Sequence, residues 1–486
     1  MSQYISTIGL EFHAELKTKT KIFCSCPTKF SDQPNTQVCP VCLGLPGVLP
    51  VLNKHAVELA VKAGLALHCQ ISPLNKFDRK NYFYPDLPKG YQVTQYPLPV
   101  CREGYIIVQD AEGRDKKVRI NRIHLEEDAG KLVHSGDSIA DSDYSLADYN
   151  RAAVPLIEIV SEPDMSSAEE ARDFGEKLRL ILAYAQVSDV KMEQGSLRCD
   201  VNISLRPREQ QELGVKVEIK NLNSFKAVYR AIKYEEQRQQ ELLSQGQTIV
   251  QETRLWDEAS GETKSMRSKE NAHDYRYFPE PDLPPVILSP EWIAGVAATL
   301  PELPDAKTAR LQKDLGLSAY DSRQIVANPP LARLFDQTAA LTKEHKTLAN
   351  WLLGDISRLL NEAEQEYEQV PLAAEDLAYL LEQVKSGAVN NNSAKIVLEE
   401  MFTGGKKPAD IIAAHGFAQI SDASFLADAV AAVIAANPQP AADYRAGKKQ
   451  AVGFLVGQVM KQTKGQANPG MVRDLLEKTL SAPDNQ

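Results

Sequence analysis

The sequence predicts an α+β protein: a large mixed N-terminal domain with a β-sheet core, followed by an all-helical C-terminal region. Three observations carry this. Roughly the first 290 residues alternate short strand-like runs with turn clusters and a few amphipathic stretches. The segment YFPEPDLPPVILSPEW then places five prolines between Phe278 and Trp292, which no helix interior or central strand tolerates, so a domain boundary is expected there. Beyond it the chain turns Ala-, Leu- and Gln-rich with helical periodicity, as in DLAYLLEQV and ADAVAAVIAA. The expected division is 1–290, a Pro-rich connector with a helix over 291–332, and a helical region over 333–486.

The elements follow in chain order. IGLEFHAEL alternates strictly, with Ile8, Leu10, Phe12, Ala14 and Leu16 on one face and Glu11, His13 and Glu15 on the other. Two acids and an imidazole on one face suit a metal, and suit equally the wet side of an ordinary half-buried strand. CSCPTKFSDQPNTQVCPVC carries Cys24, Cys26, Cys39 and Cys42 as a CxC and a CxxC pair. Such pairs can close tetrahedrally on one structural zinc ion with no open position, the alternative being unpaired buried thiols. Cys69, Cys101 and Cys199 stand alone and read as core. Asn53 opens a helix with Val57, Val61 and Leu65 inward.

KFDRKNYFYPDLPKGYQVTQY interleaves Lys76, Arg79, Lys80 and Lys89 with Tyr82, Phe83, Tyr84 and Tyr91. Cations for phosphates and ring faces for bases suit a nucleotide or single-stranded RNA; a Pro- and Tyr-rich loop packed over the core has the same composition. HLEEDAGK adds Glu126, Glu127 and Asp128, and AVPLIEIVSEPD sets Glu158 in a run apolar on both sides. A carboxylate buried in that way requires a cation, an arginine or several hydrogen-bond donors. Ser166 or Ser167, each three before a Glu, caps a helix with Ala171, Phe174, Leu178, Ile181 and Leu182 on one side. SLRCDVNISLRP sets Cys199, Val201, Ile203 and Leu205 against Arg198, Asp200, Asn202 and Ser204. A third helix begins near Phe225 with Val228, Tyr229 and Ile232 inward, and its run EEQRQQE reads as a solvated face.

Oxygen ligands from several strands and one His suit a hard ion such as magnesium, which takes further ligands from phosphate and so points to a nucleotide. No GxxxxGK[ST] and no GxGxxG occurs, so the site is neither a phosphate-binding loop of that kind nor a dinucleotide fold. Near the C-terminus, Arg445, Lys448, Lys449, Lys461, Lys464 and Arg473 face the single acid Asp443. Val452, Leu455, Val456, Val459 and Met460 form an inward stripe among them, so these cations flank a packed helix, for RNA contact or for solubility. The 486 residues are 43% hydrophobic and 25% charged with net charge −10, which fits a soluble chain of two or three domains. No apolar run approaches the ~20 residues of a membrane span and MSQYISTIGLEFH has no secretory pattern, so a cytoplasmic location is expected.

The blocks IGLEFHAEL, KFDRKNYFYPDLPKGYQ, HLEEDAGK, PLIEIVSEPD, DVKMEQGSLRCDVNISLRP, EIKNLNSF and DYRYFPEPDLPP, with GFLVGQVMKQTKGQANP near the end, resemble the GatB family of tRNA-dependent amidotransferases nearly end to end. The resemblance implies a cradle domain and a helical, YqeY-like tail that holds the tRNA. It implies ATP- and magnesium-dependent phosphorylation of the side-chain carboxylate of Glu or Asp mischarged on tRNA, followed by amidation with ammonia. By motif match Glu11, His13, Glu127 and Glu158 are the magnesium ligands, Asp200 is close by, and Arg79 and Lys80 contact phosphate. The zinc on Cys24, Cys26, Cys39 and Cys42 becomes a structural clasp, and Lys448 and Lys449 become tRNA contacts. No Gly-Ser-Ser amidase signature occurs, so ammonia is expected from a partner glutaminase, the family's GatA component, with the small GatC component bracing the heterotrimer. The rival reading is a non-catalytic tRNA-binding scaffold.

Overall fold

The alternation of the first strand sets the architecture. β1 (Tyr4–Glu15) buries Ile8, Leu10, Phe12 and Ala14 and leaves Glu11, His13 and Glu15 half-buried on its other face. The structure is a computed structural model and describes residues 3–135, 142–268, 275–417, 423–463 and 467–481. β1 lies mid-sheet with β2 (Gln70–Ile71), β3 (Cys101–Gln109), β4 (Asp115–Glu127), β5 (Pro155–Ser161), β6 (Leu197–Pro207), β7 (Val217–Leu222), β8 (Glu252–Asp257) and β9 (Glu262–Ser268). The nine strands run in the order β9-β8-β7-β6-β1-β5-β4-β3-β2. Among the described residues only β7 and β8 pair in parallel, because a helix crosses over between them.

Helices α1 (Lys54–Ala66), α2 (Ala168–Tyr184) and α3 (Phe225–Ser244) cover the apolar face of this sheet. Each starts on a side-chain cap that satisfies free backbone N–H groups: Asn53 for α1, Ser167 for α2 and Ser224 for α3. Phe174 of α2 lies 6.2 Å from Phe12 between ring centres. Gly175 permits this approach, since a Cβ there would stand 2.5 Å from the Phe225 ring and 3.2 Å from Phe12. With one face filled by helices, charged side chains of the central strands have only the other face on which to gather.

One expectation needs correction. EEQRQQE is not wholly solvated: Glu235 and Gln239 are fully buried where α3 crosses β8 and β9. Glu235 accepts two hydrogen bonds of 2.9 Å from Arg238 and one of 3.0 Å from Gln239, and pairs with Arg254 at 3.1 Å. The run of prolines leads into a helix, Pro290–Ala297, whose first residue is Pro290 and whose cap is Ser289. Proline fits there because the first turn has no partner for its N–H. Val296, Trp292 and Ile293 of this helix pack on the N-terminal core. The chain accordingly divides into units Met1–Pro304 and Asp305–Gln486, with 291–332 shared between them. In the second unit every regular element among the described residues is a helix. Its last four, Ala423–Ala436, Pro438–Arg445, Ala451–Gln462 and Pro469–Ser481, enclose a core that includes Leu426, Val452, Leu455, Val459 and Leu476.

The Glu235 network makes a measurable contribution to stability. Burial opposes its ionisation, but hydrogen bonds from Arg238, Thr263 and Gln239 prevail and hold its pKa below the ordinary carboxylate range. Its contribution is therefore present above the unfolded value of about 4.3 and is lost as pH falls through the lower native value. Glu235→Ala should cost about 3–5 kcal/mol in urea unfolding at neutral pH, by leaving arginine charge without its partner. Glu235→Gln should flatten the decline in stability below pH about 4.3.

Candidate active site

Antiparallel pairing sets side chains opposite one another on the same face. The register pairs His13 with Glu158 and Glu158 with His124 across β1, β5 and β4, and Glu11 with Asp200 across β1 and β6. Glu11, His124, Glu126 and Glu158 line a cavity of about 390 Å³ together with Lys80, Arg122, Glu218, Lys220, Tyr275 and Tyr277. His13 joins the acids: its Nε2 lies 3.4 Å from Glu158, 3.7 Å from Glu11 and 3.8 Å from Glu126. His124 Nε2 stands 3.5 Å from Glu126 and 3.6 Å from Glu158. Two ligand triads share His13, namely Glu11, His13 and Asp200, and His13, Glu126 and Glu158, with ligand atoms in each within 4.8 Å of one another.

The electrostatics show what this cluster requires. Burial disfavours charge on His13, yet the hydrogen bond to Glu158 and the charges of Glu158, Glu126 and Glu11 hold its pKa up at about 9. Burial likewise opposes ionisation of Glu158, but His124, His13 and Arg122 hold its pKa far below the usual range. Glu11 is pushed up by burial and by Glu158. The imidazole thus holds a proton as counter-charge to crowded acids, and a divalent ion would take over that role as the proton leaves. Three carboxylates and one imidazole fit a hard ion such as magnesium or manganese. At the edges of the cluster Lys220 meets Asp200 at 2.6 Å and Arg122 meets Glu158 at 3.3 Å.

The structure brings Glu11, His13, Glu158 and Asp200 together, and it does not bring Glu127. The Glu127 carboxylate takes Lys89 Nζ at 2.5 and 2.7 Å and the Val93 N–H at 2.8 Å, beside a separate cavity of about 110 Å³. The cause is the two-residue period of β4: Glu127 shares the side of Ile123 and Leu125, whereas Glu126 shares the side of His124 and Arg122. Glu126 takes its place in the cluster. Asp128 is held by Arg198 at 3.0 Å, outside it.

The same period separates Arg79 and Lys80 on the strand Asp78–Asn81. Arg79 is committed to Glu280 at 2.7 and 2.8 Å and lies over the Tyr91 ring, so it is not offered to a phosphate. Lys80 points into the site, with Nζ 4.8 Å from the Tyr275 ring centre. Sequence reasoning alone misses His124, Arg122, Lys220, Tyr275 and Tyr277. The first two are detectable from the alternation of β4, and the tyrosines come from a loop that only the fold brings over the sheet.

A family model described as the GatB/GatE catalytic domain matches residues 6–294, and one described as a GatB domain matches residues 333–480. The chain belongs to the GatB family. It is 53% identical over 481 residues to the GatB-type component of the aspartyl/glutamyl-tRNA(Asn/Gln) amidotransferase of Carboxydothermus hydrogenoformans, covering 99% of this chain and 100% of the relative. The component of the same name from Caldanaerobacter subterraneus is 54% identical over 479 residues, again 99% and 100% of the two chains. That of Moorella thermoacetica is 54% identical over 478 residues, 98% and 100%.

In this GatB-family chain the four cysteines Cys24, Cys26, Cys39 and Cys42 converge, each offering a sulfur within 4.8 Å of the others. Their chemistry fits zinc. A hydrogen bond from Cys24, the Cys39 N–H and the Lys21 ammonium bring the Cys42 thiol down to about 4 against burial, while burial pushes Cys26 up to about 11. One thiolate forms readily and a dication is needed to ionise the rest. Lys21 is fully buried with Nζ 3.6 Å from Cys42, a charge that a thiolate explains. Cys69, Cys101 and Cys199 are buried in the core. Lys448, 71% exposed, meets Asp443 at 3.2 Å, and Lys449 is exposed in the same turn. Lys464 lies outside the described residues. Among the described residues no helix is long and apolar enough to cross a membrane.

Two outcomes are expected. In manganese titrations followed by electron paramagnetic resonance, Glu126→Gln and Glu158→Gln should weaken binding at least about tenfold, roughly the loss of one charged ligand, and Glu127→Gln should leave it unchanged. Removing zinc with a chelator should speed amide hydrogen exchange over 24–42 while the manganese site at His13 persists; loss of both together would show that the clasp forms part of the reaction site.

Proposed function

We propose that the chain is the carboxylate-activating component of an amidotransferase that converts Glu-tRNA(Gln), Asp-tRNA(Asn) or both to the amide-bearing tRNA. The observation that supports this most is the convergence of Glu11, Glu126 and Glu158 on His13, beside a cavity that Lys80, Arg122 and Lys220 also line. A carboxylate resists nucleophiles because it is already negative. Transfer of the γ-phosphoryl group of ATP to a side-chain oxygen releases ADP and makes an acyl phosphate. Ammonia then attacks the carbonyl carbon, and phosphate leaves as the C–N bond forms.

Glu11, His13, Glu126 and Glu158 would hold magnesium, which when bound would spread the charge of the phosphoryl oxygens. Lys80, Arg122 and Lys220 supply fixed positive charge from three strands, stabilising an anionic transition state without reorganisation. Tyr275 and Tyr277 line the cavity with their rings in contact and would limit the access of water to the acyl phosphate. With no Gly-Ser-Ser signature in the sequence, ammonia comes from a partner glutaminase, a small third chain braces the pair, and Lys448 and Lys449 meet the tRNA body in the cytoplasm.

The complex with its partner chains, given glutamine, ATP and each mischarged tRNA, should form amide product and ADP together. Glu158→Gln should lower both by about a hundredfold or more, in line with the loss of a charge-stabilising group. Amidation without ATP, or full activity in the folded variant, would overturn the proposal.

A further inference from the structure

Lys21 is fully buried, yet its ammonium has no carboxylate partner among the described residues. A charge so placed persists only beside an anion or a strong acceptor. Its Nζ reaches one of each, Cys42 Sγ at 3.6 Å and the Tyr149 carbonyl at 3.3 Å. A divalent ion on four thiolates leaves two negative charges uncompensated, and one ammonium beside Cys42 halves that excess. The backbone holds the lysine in place: its N–H donates to the Cys26 carbonyl at 2.9 Å, and its carbonyl accepts from Asn53 Nδ2 at 3.3 Å.

The Tyr149 contact is one of several between the cysteine clasp and the same stretch of chain. Residues between Cys26 and Cys39 grip the connector 147–150. Asn35 donates from its backbone N–H to Asp148 at 2.9 Å and from its side-chain amide to the Ala147 carbonyl at 2.9 Å, and its Oδ1 accepts from the Tyr149 N–H at 2.8 Å. The Gln37 N–H donates to the Asn150 side chain at 2.8 Å, which donates in turn to the Gln33 carbonyl at 2.7 Å. This connector joins a two-stranded ribbon, Lys131–His134 paired with Ser145–Asp148, to the start of β5. Just after it, Arg151 donates to the Ala129 and Gly130 carbonyls at 3.0 and 2.7 Å, at the end of β4. Closing both ends of the cysteine loop on one ion removes chain freedom that would otherwise oppose these bonds.

We infer that Lys21 is a positioning residue of the clasp: its ammonium offsets the charge of the metal–thiolate group and ties that group to the Tyr149 carbonyl, so that an occupied clasp latches the connector 147–150 and the foot of the ribbon. Two residues carry the coupling. Lys21 responds to the charge of the metal site, and Asn35 passes the closure of the loop on to the connector.

The test uses the assembled complex. When a chelator removes zinc, amide hydrogen exchange over 147–150 should quicken by about tenfold, the worth of one hydrogen bond, in step with 24–42, and slow again when zinc alone is returned. Unchanged exchange over 147–150 would overturn the latch. In competition with a chromogenic zinc chelator, Lys21→Met should weaken zinc binding by about tenfold or more and Lys21→Arg should recover most of the loss. In the zinc-loaded complex, mass-spectrometric mapping should show Cys42 alkylated faster in Lys21→Met with Cys24 and Cys26 unchanged, which a lost charge explains and a loosened loop does not. Asn35→Gly keeps the positive φ of 57° at that position and should quicken exchange over 147–150 with zinc affinity unchanged. Equal zinc affinity in the wild type and Lys21→Met, or alkylation that rises alike at all four cysteines, would overturn the assignment of Lys21.

Discussion

Negative charge crowded onto one half-buried sheet face has to be balanced, and the arrangement of the N-terminal unit follows from that constraint. Glu11, Glu126 and Glu158 converge on a single imidazole where water is too scarce to screen them. Without a cation, the proton on His13 and the side chains of Arg122 and Lys220 provide the balance. A site that binds a proton this firmly for lack of anything better is one that a divalent ion can occupy, and the same charge density then serves a phosphoryl group.

The fold makes this concentration possible by separating two kinds of surface. α1, α2 and α3 fill the apolar face, so β1, β4, β5 and β6 can gather polar side chains on the other without exposing core. The antiparallel register then aligns ligands from different strands into rows, which a loop-built site would achieve less precisely in position. The cysteine cluster and the Glu235 network act at a distance from this centre, the first shaping the loop after β1 and the second tying α3 to the β8–β9 edge. Both are structural supports, and neither holds a group that faces the cation site.

Much of this is legible in the sequence, with informative exceptions. The period-2 patterns of IGLEFHAEL and SLRCDVNISLRP place Glu11, His13 and Asp200 on the faces they occupy, and the CxC and CxxC pairs predict their own convergence. Motif matching misplaces Glu127, although the alternation of Ile123 and Leu125 already assigns the outward side to Glu126. Arg79 and Lys80 look equivalent by composition, yet adjacent strand residues face opposite ways. The burial of Glu235 and Gln239 cannot be read from the helix alone, because it depends on Arg254 and Thr263, which arrive from strands later in the chain. The tyrosine wall is hidden for the same reason: Tyr96 is distant in sequence from Tyr275 and Tyr277 and adjacent to them only after folding.

The central claim is that acids from separate strands grip one divalent ion beside the group to be activated. Anomalous diffraction from manganese-soaked crystals of the assembled complex measures this directly. A peak in coordination range of His13 Nε2 and the carboxylates of Glu126 and Glu158 is the predicted result. A peak beside Glu127 and Lys89 instead, with no density at His13, would contradict the account.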